Sequence, residues 1–157
     1  MFLAVTVGCS PSTTVETKTA AATTSQAAPS ASSPSTDACF TVAAPADWVQ
    51  KTMPQCGLTL SWPSGGIGIS VDSEPIDAEI LRGLVAEKYQ DVTVAERIVD
   101  GQQVLVASGS VPGAVYIVVQ ARSAKGDQLG YYAQGLTQDP AQIPQIERVL
   151  ASIRMTK

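Results

Sequence analysis

Residues 10–36 contain almost nothing that a folded core could use. Of these 27 positions, seven are Ser, seven Thr, six Ala and three Pro, and Val15 is the one large aliphatic residue among them. Such a stretch cannot bury enough apolar area to offset the entropy of ordering it, so it is expected to be an extended, disordered linker. A free coil of that length has a mean span on the order of 30 Å, and its Ser, Thr and Pro content also suits O-glycosylation. The chain therefore divides into residues 1–9, the linker at 10–36, and a stretch at 37–157 that is long enough for one hydrophobic core.

A short apolar run at positions 2–8 leads into Cys9. The stretch Val7-Gly8-Cys9-Ser10 resembles a bacterial lipobox, in which a small residue precedes a Cys that receives a diacylglyceryl group and signal peptidase cuts just before that Cys. The resemblance implies that residues 1–9 are the end of a truncated signal peptide, with the true start of translation upstream of Met1. It also implies a membrane partner: an acyl (palmitate-type) lipid anchor at Cys9 that holds the protein on the extracytoplasmic face of the cell membrane. With Cys9 lipidated, Cys39 and Cys56 remain as one pair. A disulfide between them fits an oxidising envelope compartment and would stabilise the fold by about 3 kcal/mol on the chain-entropy model. The alternative is two buried free thiols. The spacing excludes a CxxC redox site.

The chain has no histidine, which removes Ser-His-Asp and Cys-His catalysis and every His-ligated metal site. Its net charge is −4 with no basic cluster, so nucleic acid is not an expected partner. Asp72, Glu74, Asp77 and Glu79 form the densest acidic group, but the spacing and central glycine of a calcium loop are missing. They read as a solvated loop followed by acids that suit a helix N-terminus. Ser64-Gly65-Gly66-Ile67-Gly68 lacks the Lys-Ser/Thr of a phosphate-binding loop and reads as a turn. Ser108-Gly109-Ser110 is not a nucleophile elbow. No catalytic residue, metal ligand or cofactor is expected.

Hydrophobic periodicity sets the elements. A first strand is expected at 39–44, ended by Pro45 and Asp47, with Trp48 at the turn. Strands at 58–62 and 67–71 alternate and can pair as a hairpin across Ser64-Gly65-Gly66. The period then changes: Asp77 is a good N-cap, and Ile80, Leu81, Leu84 and Val85 recur at helical spacing, so a helix is expected from 77 to about 89. Gly83 in its middle costs about 1 kcal/mol against Ala, which suggests packing or a close approach there. Four strands at 92–99, 102–110, 114–122 and 128–136 then form a meander, with turns at Asp100-Gly101, Pro112-Gly113 and Lys125-Gly126-Asp127. In the third, Val115, Ile117 and Val119 share one side while Tyr116 and Val118 share the other, so both faces of the sheet need cover. A final helix from about Ala141, with Pro144 in its first turn, places Ile143, Ile146, Val149, Leu150 and Ile153 on one stripe. The pattern is that of an α+β fold: an antiparallel meander with helices on both faces.

The opening Phe40-Thr41-Val42-Ala43-Ala44-Pro45-Ala46-Asp47-Trp48 resembles the strand-P-x-x-W start of PsbP-like domains, and the middle helix, the meander and the closing Val149-Leu150-Ala151-Ser152-Ile153 follow their order. Such domains are α/β/α sandwiches. Actinobacterial lipoproteins of the LpqN type are similar, with a lipobox, a Ser/Thr-rich linker and this domain. The likeness covers residues 37–157. It implies a non-catalytic protein-interaction or accessory role toward an unknown envelope protein, and it brings no catalytic residues with it. Trp48, Trp62, Tyr116, Tyr131 and Tyr132 are most of the aromatics. They either pack over the rim of the core or line a pocket, which would make the protein a carrier of a lipid or small apolar ligand. Tyr131 and Tyr132 must point to opposite faces of their strand.

Overall fold

Alternating aliphatic residues between polar turns produce nine strands and two helices in a computed structural model that describes residues 39–112 and 115–156. They run β1 (Phe40–Thr41), β2 (Val49–Met53), β3 (Gly57–Trp62), β4 (Gly65–Asp72), α1 (Ala78–Ala86), β5 (Gln90–Val99), β6 (Gln102–Val111), β7 (Val115–Arg122), β8 (Gly130–Thr137), α2 (Ile143–Ala151) and β9 (Arg154–Met155). Seven strands form one sheet in the order β2-β3-β4-β8-β7-β6-β5, and β1 pairs with β9. Every pairing is antiparallel. The large sheet thus joins two meanders, β2–β4 and β5–β8, through the pairing of β4 with β8. In the chain they are joined by α1, which carries the backbone from the middle of the sheet to its far edge.

The α+β meander with a helix on each face is the architecture that the periodicity predicts. The Asp100-Gly101 turn closes β5 onto β6, with both residues at positive φ (47° and 76°), as a two-residue hairpin of this hand requires. Asp77 caps α1 by accepting from the amides of Glu79 and Ile80 at 2.9 and 2.8 Å. Pro144 sits in the first turn of α2, after a single 3-10 turn at Pro140–Gln142 capped by Asp139.

Several boundaries differ from expectation, each for a physical reason. The first strand pairs only at Phe40–Thr41; Val42 and Ala44 are buried but leave the small sheet. β2 is an addition: Val49–Met53 is an edge strand, exposed along most of its length, and so carries no core alternation. Gly65 and Gly66 are not the β3–β4 turn, which is Pro63-Ser64; they are strand residues. A Cβ on Gly65 would lie 2.2 Å from the Leu136 carbonyl oxygen, so glycine there permits the close approach of β8. α1 ends at Ala86, short of Tyr89. Around Gly83 a Cβ would meet nothing within 4 Å, so no close approach accounts for that glycine.

Alternation divides the buried side chains into two cores. Val118 and Gln120 of β7 face α2, along with Leu58, Leu60, Ile67 and Ile69, and meet Ile146, Val149 and Leu150. Ile117, Val119 and Ala121 face α1, and meet Leu81 and Val85 together with Leu105 and Ala107. Cys39 and Cys56 are bonded, with Cα atoms 5.5 Å apart, which ties the start of β1 to the β2–β3 turn. Arg154 of β9 forms an ion pair with Asp100, linking the small sheet to the β5–β6 turn.

Candidate functional site

α1 is too short to cover its face of the sheet. It packs on β5 and β6 and leaves the β8-β4-β3-β2 half of that face open. A cleft of about 590 Å³ runs between the helix and the open half. Its floor comes from strand positions that alternate away from the α2 core: Ser70 of β4 and Tyr132 and Gln134 of β8, the first two directly paired. Beside them, a Cβ on Gly68 would meet nothing within 4 Å, as befits an uncovered surface.

The wall comes from the α1 segment. Leu81 and Val85 enter the core, while Ile80 and Leu84, four residues apart, project beside them and stay 48% exposed. With Ile76, they give the cleft an apolar side. Asp72 and Glu74 line it before α1, and Glu87 and Lys88 line it just after. An Asp72 carboxylate oxygen accepts from the Glu74 amide at 2.9 Å. The Tyr132 hydroxyl donates to Gln134 Oε1 at 3.4 Å. Burial, reinforced by the neighbouring Tyr89, pushes the Tyr132 hydroxyl above its ordinary pKa, so it stays a neutral hydrogen-bonding group. The cleft can hold an elongated apolar group on one side and present hydrogen-bonding atoms below it.

The structure disperses the five aromatics that the sequence singles out. Trp48 and Trp62 stack on each other, with ring centroids 4.0 Å apart and planes 20° apart, against the α2 core. Tyr131 packs edge-on against Phe40 in the same core. Tyr116, half-buried, lies on the strand face that it shares with Val118 and Gln120. Tyr132 alone of the five borders the cleft, because strand alternation turns it away from Tyr131. The five do not line a single pocket; Trp48, Trp62 and Tyr131 serve packing on the opposite face. Cys9 and the expectations placed on residues 1–36 lie outside the described residues. Asp77 serves as a helix cap. Among the described residues, no three His, Cys, Asp or Glu side chains gather as a metal-binding set, and no helix is long and apolar enough to cross a membrane.

Ile80 and Leu84 escape a periodicity reading because they look like core positions. The signal was present all the same: a stripe of four large aliphatics at 80, 81, 84 and 85 is wider than one short helix can bury against a sheet.

No family model and no curated protein matches the chain. Among solved structures, a crystal structure from Bacteroides thetaiotaomicron shares the fold with a TM-score of 0.51 at 11% identity, covering 75% of this chain and 45% of that one. The chain thus spans less than half the length of that neighbour, and the likeness concerns the fold alone.

Proposed function

We propose that this chain is a lipid-anchored cell-envelope protein whose domain, residues 37–157, acts as a non-catalytic interaction or accessory module toward an envelope protein. The observation that carries the binding reading is the half-covered sheet face: α1 leaves Ile80 and Leu84 exposed above a polar floor instead of sealing the core. The anchor reading rests on Val7-Gly8-Cys9-Ser10 and the small-residue linker at 10–36. The PsbP-like, LpqN-type kinship rests on the Pro45-Ala46-Asp47-Trp48 opening and the order of helix, meander and final helix.

A second reading is a carrier of a lipid or small apolar ligand. The cleft favours it, because its volume lies within the range of about 300–1,000 Å³ that small-molecule sites occupy, and one wall is aliphatic.

Membrane fractionation of the host tests the anchor. Cys9→Ser is expected to release the protein from membranes, and undiminished membrane association would defeat that reading. Photo-crosslinking from position 84 in intact envelopes tests the module: a discrete adduct that Ile80→Asp abolishes supports a partner seated at the cleft. If adduct yield is insensitive to that change, the surface is not the site of contact.

A further inference from the structure

We infer that the cleft beside α1 is built for a single-chain amphiphile with a cationic head, its tail against Ile80 and Leu84 and its head at Asp72 and Glu74. This rests on the ligand-binding reading above and specifies its ligand.

The argument starts from the cavity. A space of about 590 Å³ with one aliphatic wall and a floor of Ser70, Tyr132 and Gln134 suits a molecule that is apolar along one side. Its aliphatic wall is one face of a nine-residue helix, presenting Ile80 and Leu84 one turn apart, which is contact enough for a single alkyl chain. The polar floor atoms are neutral, and the Tyr132 hydroxyl is held in its protonated state by burial, so the floor does not select a charge. The ends do. Glu87 and Lys88 are neighbours just after α1 and offset each other. Asp72 and Glu74 lie before α1, with no cationic side chain among the residues that line that end. A cationic head at that end gains from both carboxylates, whereas an anionic head meets like charges there and the overall charge of −4. A carboxylate- or phosphate-headed lipid is therefore the wrong sign for this cleft.

The test uses the full chain carrying Cys9→Ser, so that no anchor lipid competes, and three probes with the same tail: decyltrimethylammonium, decyl maltoside and decanoate. Each is titrated calorimetrically below its micelle concentration. Decyltrimethylammonium is expected to bind saturably, one per chain, with decanoate at least tenfold weaker. Leu84→Asp, an exposed site where folding should survive, is expected to abolish binding of every probe. The pair Asp72→Asn and Glu74→Gln is expected to weaken the ammonium probe by about tenfold, as the loss of one half-buried and one exposed charge contact allows, and to leave the maltoside affinity unmoved. Saturable binding of maltoside or decanoate as tight as that of the ammonium, abolished by Leu84→Asp, overturns the charge assignment while the ligand-binding reading stands. Binding that Leu84→Asp does not affect lies elsewhere on the protein and overturns the cleft. No saturable binding by any probe overturns both.

Discussion

Gln120 and Tyr131 are bonded inside the α2 core: the Gln120 Nε2 donates to the Tyr131 hydroxyl at 2.6 Å. Its second hydrogen goes to the Leu150 carbonyl oxygen at 2.9 Å, near the end of α2, where backbone carbonyls lack partners within the helix. One amide on β7 thus fixes both β8 and the last turn of α2. Gln120 is 3% exposed, so removing it strands the buried Tyr131 hydroxyl and takes one donor from the Leu150 carbonyl, which keeps the Ile153 amide at 3.1 Å. Gln120→Leu is expected to cost about 2 kcal/mol, and Tyr131→Phe about 1 kcal/mol. The double variant should cost less than the sum, because both changes disrupt the same bond. Urea unfolding of the three variants measures this; a Gln120→Leu protein as stable as the parent would show that the network contributes nothing net.

The Cys39–Cys56 disulfide closes a loop that contains β2 and Trp48. Opening it with reductant, or by Cys39→Ser with Cys56→Ser, is expected to lower the unfolding free energy by about 3 kcal/mol. The comparison is urea unfolding with and without reductant, and coincident curves would refute it.

Two glycines should respond in opposite directions to alanine. Gly83 lies mid-helix with open space around it, so Gly83→Ala is expected to stabilise by up to about 1 kcal/mol. A Cβ on Gly130 would lie 2.2 Å from the Arg122 carbonyl oxygen and 2.7 Å from the Ala124 nitrogen, both backbone atoms that cannot step aside. Gly130→Ala is expected to destabilise by about 1–3 kcal/mol. Thermal midpoints moving apart from the parent value confirm the pair; a stabilised Gly130→Ala would contradict the geometry.

Burial pushes the Tyr131 hydroxyl above its ordinary pKa of 10.0, against the smaller opposing effects of the Gln120 hydrogen bond and of Arg122. Burial, followed by neighbouring Tyr89, does the same to Tyr132. An unfolded tyrosine gives up its proton near 10.0 while the folded one still holds it, so above that pH the folded state binds more protons. Stability contributed by these groups is complete below pH 10.0 and is lost as pH rises through the higher folded values. Unfolding free energy is therefore expected to be level approaching that point and to fall beyond it, with a shallower fall in Tyr132→Phe. An equal slope in parent and variant would show that Tyr132 is not part of the linkage.

The sheet was legible wherever a strand is buried on at least one face. β3 and β4 alternate because Leu58, Leu60, Ile67 and Ile69 must point into one core, and β6 and β7 read as apolar runs because cores lie on both their faces. β2 was not legible, because an edge strand of Val49-Gln50-Lys51-Thr52-Met53 has no face to bury. Gly65-Gly66 suggests a turn because glycine serves turns and close strand contacts alike, and sequence does not say which. Periodicity shows the aliphatic wall at Ile80 and Leu84 but not the cleft itself. The cleft exists because β4 pairs with β8 and places an open half-sheet beside α1, a relation between residues more than 60 positions apart.

The stack of Trp48 on Trp62 decides whether these aromatics hold structure or ligand. Trp48 belongs to the turn before β2, and Trp62 to the end of β3, so the stack pins an otherwise loose connection onto the sheet. Two indoles 4.0 Å apart should couple their transitions and produce a paired positive and negative circular-dichroism band. Trp48→Phe removes the coupling and keeps most of the packing, at a cost of about 1 kcal/mol. Trp48→Ala removes both, at a cost of about 3–5 kcal/mol. Neither ring borders the cleft, so Trp48→Phe is expected to abolish the coupled band and leave decyltrimethylammonium affinity unchanged. If affinity falls with the band, the ligand site includes the tryptophans, and the aromatic pocket that the sequence suggests displaces the cleft beside α1.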